Sequence, residues 1–187
     1  MASLVNILGF AGSLRQGSYN RATLRAAGEL LPDDVQLETF DIASIPLYNY
    51  DVEVAGVPEP VQQFKARIAA NDALLIVSPE YNYSIPGVAK NAVDWASRPP
   101  DSSPLNGKPV AFMGASPGNF GAVRAQMHWR NVCVFANMLP LNKPEVLIAR
   151  AAEKFDAQGR LTDEIARKLI RQELEALGVW VRRLREY

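Results

Sequence analysis

The amino-acid sequence predicts an α/β protein built on an open parallel sheet with helices on both faces. Two observations carry this. Short apolar runs alternate with helix-period segments along the whole chain, and no repeat or low-complexity linker divides the 187 residues. The best-defined runs, Leu4 to Gly9 and Ala73 to Ser78, are apolar with little alternation, as strands buried on both faces must be.

Taken in order, Leu4 to Gly9 reads as the first strand and Asn20 to Leu31 as a helix stopped by Pro32. Val35 to Phe40 alternates like a second strand, and Asp41 to Pro60 follows as a long, Pro-bearing connection without a clear period. Pro60 to Asn71 suits a helix and Ala73 to Ser78 a third strand. Gly87 to Ser97 reads as a helix whose start is marked by Pro86. After a turn-rich break at residues 99–104, a fourth strand is expected at Pro109 to Ala115, a long helix from Gly121 to Met138, and a fifth strand near Glu145 to Ile148. In the last helix Ile165, Leu169, Ile170, Leu174, Leu177, Val181 and Leu184 form an apolar stripe behind a cap at Thr162, and Arg182, Arg183 and Arg185 sit where the helix dipole favours cations.

Composition narrows the function. An apolar content of 48% is enough to fill the core of a single domain spanning residues 1–187. Twenty basic and twenty acidic side chains cancel, so nucleic acid and anionic membranes are poor partners, and small molecules or further copies of the chain are better ones. The lone Cys133 excludes an internal disulfide, a CxxC pair and a cysteine-rich metal centre, so redox chemistry would require a bound organic cofactor. No apolar stretch approaches the ~18 residues needed to span a bilayer, and a cytoplasmic location is expected.

Ligands of such sheets lie beyond the carboxyl ends of the strands. The first of these loops, Gly12 to Asn20, combines small residues, hydroxyls and Arg15 at a helix N-terminus, which suits an anion. Ser18 or Asn20 as a simple helix cap, and Arg15 as a surface ion-pair partner, are the plainer alternatives. Gly12 and Gly17 match the glycines of GxxxxGK[ST], yet Ser18 and Tyr19 stand where Lys and a magnesium-binding hydroxyl belong. The dinucleotide fingerprint GxGxxG is absent as well, so a terminal monophosphate fits better.

The loop from Pro79 to Gly87 carries Glu80, Tyr81, Asn82 and Tyr83, two rings and several hydrogen-bonding groups in a chain stiffened by proline at both ends, which suits a flat heterocycle. Tyr81 and Tyr83 packing under the loop is the alternative. Gly114 to Gly118 matches GxSxG around Ser116, but His128 follows too soon and no acid lies between them, which argues against a serine hydrolase. Gly114, Gly118 and Gly121 are expected to keep this loop thin beside a ring. Met127, His128, Trp129, Val132, Cys133, Val134, Phe135 and Met138 place apolar residues on more than one side of the following helix, as burial against another subunit would.

Taken together, the stretches Gly12 to Asn20, Ser78 to Gly87 followed by Lys90 to Trp95, and Asn142 to Glu145 resemble the NADPH-dependent FMN reductase family, and within it the soluble quinone and chromate reductase branch. The resemblance implies a flavodoxin-like three-layer sandwich with strand order 2-1-3-4-5. It implies that Ser13, Arg15, Ser18 and Asn20 surround the phosphate of FMN with Tyr19 beside it, that Pro79, Glu80, Tyr81, Asn82 and Tyr83 line the flavin, and that Ser116 approaches from the third loop. It further implies a homodimer or homotetramer with Arg124 and Glu145 near subunit contacts, although Met127 replaces a polar aromatic found there in some relatives. The expected reaction is a ping-pong cycle: NADPH or NADH reduces the flavin, and a quinone, chromate or free flavin then takes the electrons, with no catalytic side chain and no metal. An electron carrier or sensor without nicotinamide oxidation is the alternative.

Overall fold

In the computed structural model, which describes residues 3–186, strand β1 (Val5–Ala11) lies near the middle of a parallel sheet. It is flanked by β2 (Val35–Thr39) on one side and β3 (Ala73–Val77) on the other, and β4 (Pro109–Ala115) follows β3, giving the expected order 2-1-3-4-5. The fifth position differs from expectation because it is divided. β5 (Leu139–Pro140) pairs with the start of β4 and β6 (Val146–Ile148) with its end. Pro140 and Pro144 lack the N–H that an unbroken ladder needs, and the chain bows out between them.

Consecutive residues of the central strands enter different cores. Val5, Ile7, Leu75, Val77 and Met113 pack under α1 (Tyr19–Glu29) and α6 (Glu164–Leu184). Leu8, Phe10, Leu74, Ile76 and Phe112 pack under α3 (Glu59–Ala70), α4 (Gly87–Ala96) and α5 (Val123–Ala136). This two-sided burial is the reason the strands read as apolar throughout. The connection from Asp41 to Pro60, expected to be irregular, contains a 3-10 turn at Ile42–Ser44 and the short helix α2 (Tyr50–Ala55), each started by an Asp41 or Asn49 side-chain cap. Their few residues are too short to show a period.

Two details of the last helix also depart from the sequence expectation. Asp163, not Thr162, caps it, its carboxylate accepting the N–H of Ala166 at 2.8 Å, and Thr162 instead bonds the Lys154 carbonyl. Ile165 is 71% exposed, whereas Ile170, Leu174, Leu177 and Val181 form the buried stripe. The terminal arginines do more than meet the helix dipole, since Arg182 pairs with Asp34 at 3.0 Å and Arg185 with Asp72 at 2.5 Å, tying α6 to the strand-entry loops.

Asn20 makes the link that most directly shapes the carboxyl edge of the sheet. Its side-chain amide donates to the Ala115 carbonyl and its side-chain carbonyl accepts the Ala115 N–H, both at 2.9 Å and both buried. The first turn of α1 is thereby clamped to the end of β4, 95 residues away. Glu173 occupies the break between β5 and β6. It is fully enclosed, accepts a backbone hydrogen bond from Phe112 in the uncovered part of β4, and leaves Oε2 without a partner. Burial pushes its carboxyl well above the ordinary 4.5.

Two outcomes follow. Asn20→Ala, which strands the buried Ala115 groups, should lower unfolding free energy by about 2–3 kcal/mol in urea titrations, and a loss under about 0.5 kcal/mol would count against the clamp. Because burial raises the Glu173 carboxyl in the fold above its unfolded value of 4.5, the unfolded chain loses this proton first, and stability should fall as pH rises from about 4.5 through the raised folded-state value. Glu173→Gln should remove that slope; an unchanged stability–pH profile would show that Glu173 is not its source.

Candidate functional site

Three loops converge at the carboxyl ends of β1, β3 and β4. The first runs from Gly12 to Ser18. Its N–H groups from Ser13 to Gly17 make no backbone hydrogen bond among the described residues, while Ser18 turns back to cap α1, its Oγ accepting from the N–H of Asn20 at 3.2 Å and of Arg21 at 3.5 Å. Ser13 and Ser18 are buried, and Arg15 stands exposed above the ring of Tyr19 at 5.9 Å. Tyr19 packs in turn against Phe155 with ring centroids 5.3 Å apart. Open N–H groups, two hydroxyls and a guanidinium at a helix start make a cradle for an oxyanion.

The second loop follows β3. Pro79 is buried, and Tyr81 and Ser84 close a four-residue turn through two backbone bonds of 2.9 Å. Asn82 and Tyr83, at its tip, take left-handed φ values of 49° and 67°. Asn tolerates that region, but for tyrosine it is uncommon and strained, and such strain persists only where the surroundings impose it. Rigidity thus comes from this turn as well as from the flanking prolines.

Helix α5 is what imposes it. Glu80 accepts from the Arg124 N–H at 2.9 Å and from the Arg124 guanidinium at 3.1 Å, so its carboxylate, only 11% exposed, caps a helix whose own N-cap, Ala122, offers no side chain. The same guanidinium lies 4.0 Å from the ring centroid of Tyr83 and 4.6 Å from that of Phe120. One turn on, His128 Nδ1 and Ser84 Oγ are hydrogen-bonded at 2.8 Å. The sole histidine is therefore not a core residue but an exposed fastener of this loop, and the sequence separation of 44 residues hid the pair.

The third loop is held to β6. Ser116 donates its N–H to the Ile148 carbonyl and accepts at its own carbonyl from Ala151, both at 3.0 Å, and Ser116 Oγ accepts from the Gly118 N–H at 3.1 Å. The glycines here have a different reason from the one expected. A Cβ on Gly114 would come within 2.8 Å of Ala122, and one on Gly121, where φ is 57°, within 2.6 Å of the Leu147 backbone. Both are therefore required for the loop to pack on its own protein, whereas a Cβ on Gly118 would meet Ser116 Oγ at an ordinary 3.5 Å. With His128 bonded to Ser84, the GxSxG pattern gains no hydrolase geometry.

A cleft of about 280 Å³ joins the loops, lined by Ser13, Arg15, Ser18, Tyr19 and Asn20 from the first, Pro79, Glu80 and Tyr81 from the second, and Ser116 from the third. Tyr81 hydroxyl reaches Ser13 Oγ at 3.4 Å across it. Asn82 and Tyr83 stand apart from this cleft, at the exposed tip of the turn. Asn20 is in the wall, with one N–H and the carbonyl of its side-chain amide bonded to Ala115, and the Glu80 carboxylate is bonded to Arg124. Cys133 is buried and its thiol pushed up to about 12, so it is inert as a redox group. Among the described residues no cluster of His, Cys, Asp or Glu could hold a metal.

Comparison with known proteins agrees with this geometry. Residues 5–153 match the family model of the NADPH-dependent FMN reductases. An NAD(P)H-dependent FMN reductase of Pseudomonas aeruginosa is 56% identical over 185 residues, covering 99% of this chain and 100% of that protein. A 2-hydroxy-1,4-benzoquinone reductase of a Burkholderia species is 42% identical, covering 91% of this chain and 93% of its own. The flavoenzyme NAD(P)H:acceptor oxidoreductase FerB of Paracoccus denitrificans superposes with a TM-score of 0.88 at 35% identity, over 96% of this chain and 98% of FerB. A flavodoxin of Pseudomonas aeruginosa, at 16% identity and a TM-score of 0.59 over 92% of this chain and 98% of its own, shares the fold. The chain belongs to the NADPH-dependent FMN reductase family, and is an oxidoreductase of flavodoxin-like fold.

Proposed function

We propose that this enzyme binds FMN in the three-loop cleft and passes electrons from NADPH or NADH to quinones. The observation that carries this reading is the cleft itself, where an oxyanion cradle and a rigid, aromatic-bearing loop adjoin at the carboxyl edge of the sheet. Quinone reduction is favoured by the relatives named for it in Burkholderia and Pseudomonas putida. Chromate and free flavin are further acceptors that the same open site would admit.

The residues divide by task. Ser13, Ser18, Arg15 and the free N–H groups between them bind the FMN phosphate, and Tyr19 shields it. Pro79, the Glu80 and Tyr81 backbone and Ser116 border the ring, while Asn82 and Tyr83 form the rim. Asn20 and Glu80 act as positioning residues, holding the first and second loops through Ala115 and Arg124. When bound, FMN supplies the redox chemistry, accepting electrons from the nicotinamide and releasing them to the acceptor. No side chain of the cleft is needed as an acid or base, and donor and acceptor would occupy the open side in turn, a ping-pong order.

The same reading extends to assembly and location. Val134 and Phe135 on α5 are 84% and 83% exposed, and a neighbouring groove of about 510 Å³ is lined by Tyr48, Val93, Val132 and Phe135. Such a face suits contact with a second copy, so a homodimer or homotetramer is proposed. No helix among the described residues is long and apolar enough to cross a membrane, and the cytoplasm is the proposed site of action.

Arg15→Ala should weaken FMN binding about tenfold or more, consistent with loss of a charge-assisted contact to phosphate, as read by fluorescence titration of the stripped protein. Equal affinity would remove Arg15 from the phosphate site. On anaerobic mixing, NADPH or NADH should bleach the yellow holoprotein within seconds, and added benzoquinone should restore the colour. A flavin still oxidised after minutes would point to an electron carrier instead, and a colourless protein labelled at Ser116 by a fluorophosphonate would revive the hydrolase.

A further inference from the structure

A second cavity adjoins the FMN cleft on the other side of β1. It measures about 200 Å³ and lies between α1 and the end of β2, bordered by Ser13, Arg21, Arg25, Thr39, Phe40 and Asp41. Ser13 lines both cavities, so the two are separated by little more than the first loop. We propose that this cavity receives the 2′-phosphate of NADPH and sets the preference of the enzyme for NADPH over NADH. The inference rests on the reading of a nicotinamide nucleotide as donor.

Charge is the first argument. Arg21 and Arg25 are four residues apart on α1 and so project from the same face. Arg21 pairs with Asp41 at 3.3 Å, whereas Arg25 has one hydrogen bond among the described residues, at 3.4 Å to the Gly159 carbonyl. Two guanidinium groups against one carboxylate leave a net positive charge, and Arg25 is exposed and ready to donate. A phosphate monoester is the ligand whose oxygens a guanidinium fork matches best.

Asp41 supplies the second argument because it tests the opposite reading. A carboxylate just past the second strand of a nucleotide-binding sheet can accept hydrogen bonds from an unphosphorylated ribose, which would favour NADH. Here both of its oxygens are taken: Oδ1 accepts the Ala43 N–H at 3.0 Å as the cap of the 3-10 turn, and Oδ2 faces Arg21. Asp41 is therefore a holder of Arg21, and its charge is neutralised where a phosphate would approach. Thr39 adds an exposed hydroxyl and Phe40 a half-buried ring for the neighbouring sugar and base.

Topology supplies the third. The sheet order 2-1-3-4 puts the flavin-ring loops on one side of the phosphate cradle and this cavity on the other. A dinucleotide stacked on the ring is longer than FMN by a nucleoside and a phosphate. Running back along the carboxyl edge over the first loop, it would bring its adenosine end to β2.

The test uses the FMN-loaded protein. Calorimetry with 2′,5′-ADP and with 5′-AMP, which differ only in the 2′-phosphate, should show that group strengthening binding about tenfold or more, as gain of a charge-assisted contact does. Arg25→Ala, an exposed position that should not disturb folding, should abolish most of that difference, and Arg25→Lys should restore part of it. In steady-state assays the ratio of KM for NADPH to KM for NADH should rise about tenfold in Arg25→Ala. Equal binding of the two nucleotides by the wild type, or an unaltered ratio in Arg25→Ala, would overturn the inference while leaving the donor reading intact. Failure of both nucleotides to bleach the flavin would instead sink the donor reading, and calorimetry would still decide whether the cavity selects a 2′-phosphate.

Discussion

The carboxyl edge of this sheet depends on one buried amide. Asn20 gives its side-chain N–H and carbonyl to the backbone of Ala115, replacing the strand partner that Ala115 lacks on that side. The first and third loops are thereby held together although 95 residues separate the pair. An amide is the natural side chain for the task, since it alone presents donor and acceptor side by side in the spacing of a peptide group. Ser18 caps the same helix two residues earlier, so the oxyanion cradle is fixed by its own helix and by β4 together.

Helix α5 plays the equivalent part for the second loop. Glu80, Tyr83 and Ser84 each touch it, through Arg124 or His128. Those contacts hold a turn with two left-handed residues, one of them a tyrosine, which isolated chain would avoid. The helix also carries the exposed Val134 and Phe135, so the site and the proposed subunit contact share one rigid element.

Much of this was legible from residues alone. β4 falls at Pro109–Ala115 as expected, because an apolar run bounded by turn signals admits few other readings. The Gly12 to Asn20 cluster and the Pro79 to Tyr83 loop stood out because their residue types make little sense as packing, and the structure brings the two loops together at one cleft. Other features escaped for identifiable reasons. Glu173 on an otherwise apolar helix face looks like a surface residue until the break between β5 and β6 is seen beneath it. Asp163 and Thr162 are both competent caps, and only backbone geometry chooses between them. Gly114 and Gly121 read as space for a ligand, whereas their neighbours turn out to be the protein's own backbone.

What the sequence by itself determined is the kind of structure and the kind of cofactor: strands buried on both faces, and spaced motifs in the order of the FMN reductases. Local patterns suffice for these because periodicity, capping and side-chain chemistry act within a few residues. The tertiary structure decided which side chains remain free to act. Asn20 and Glu80 read as cofactor contacts in one dimension, yet each is bonded to a protein group far along the chain, while Arg15 and Arg25 are left with donors to spare. That allocation depends on pairings across the sheet and between loops, and hydrogen bonds of such long sequence separation leave no local trace.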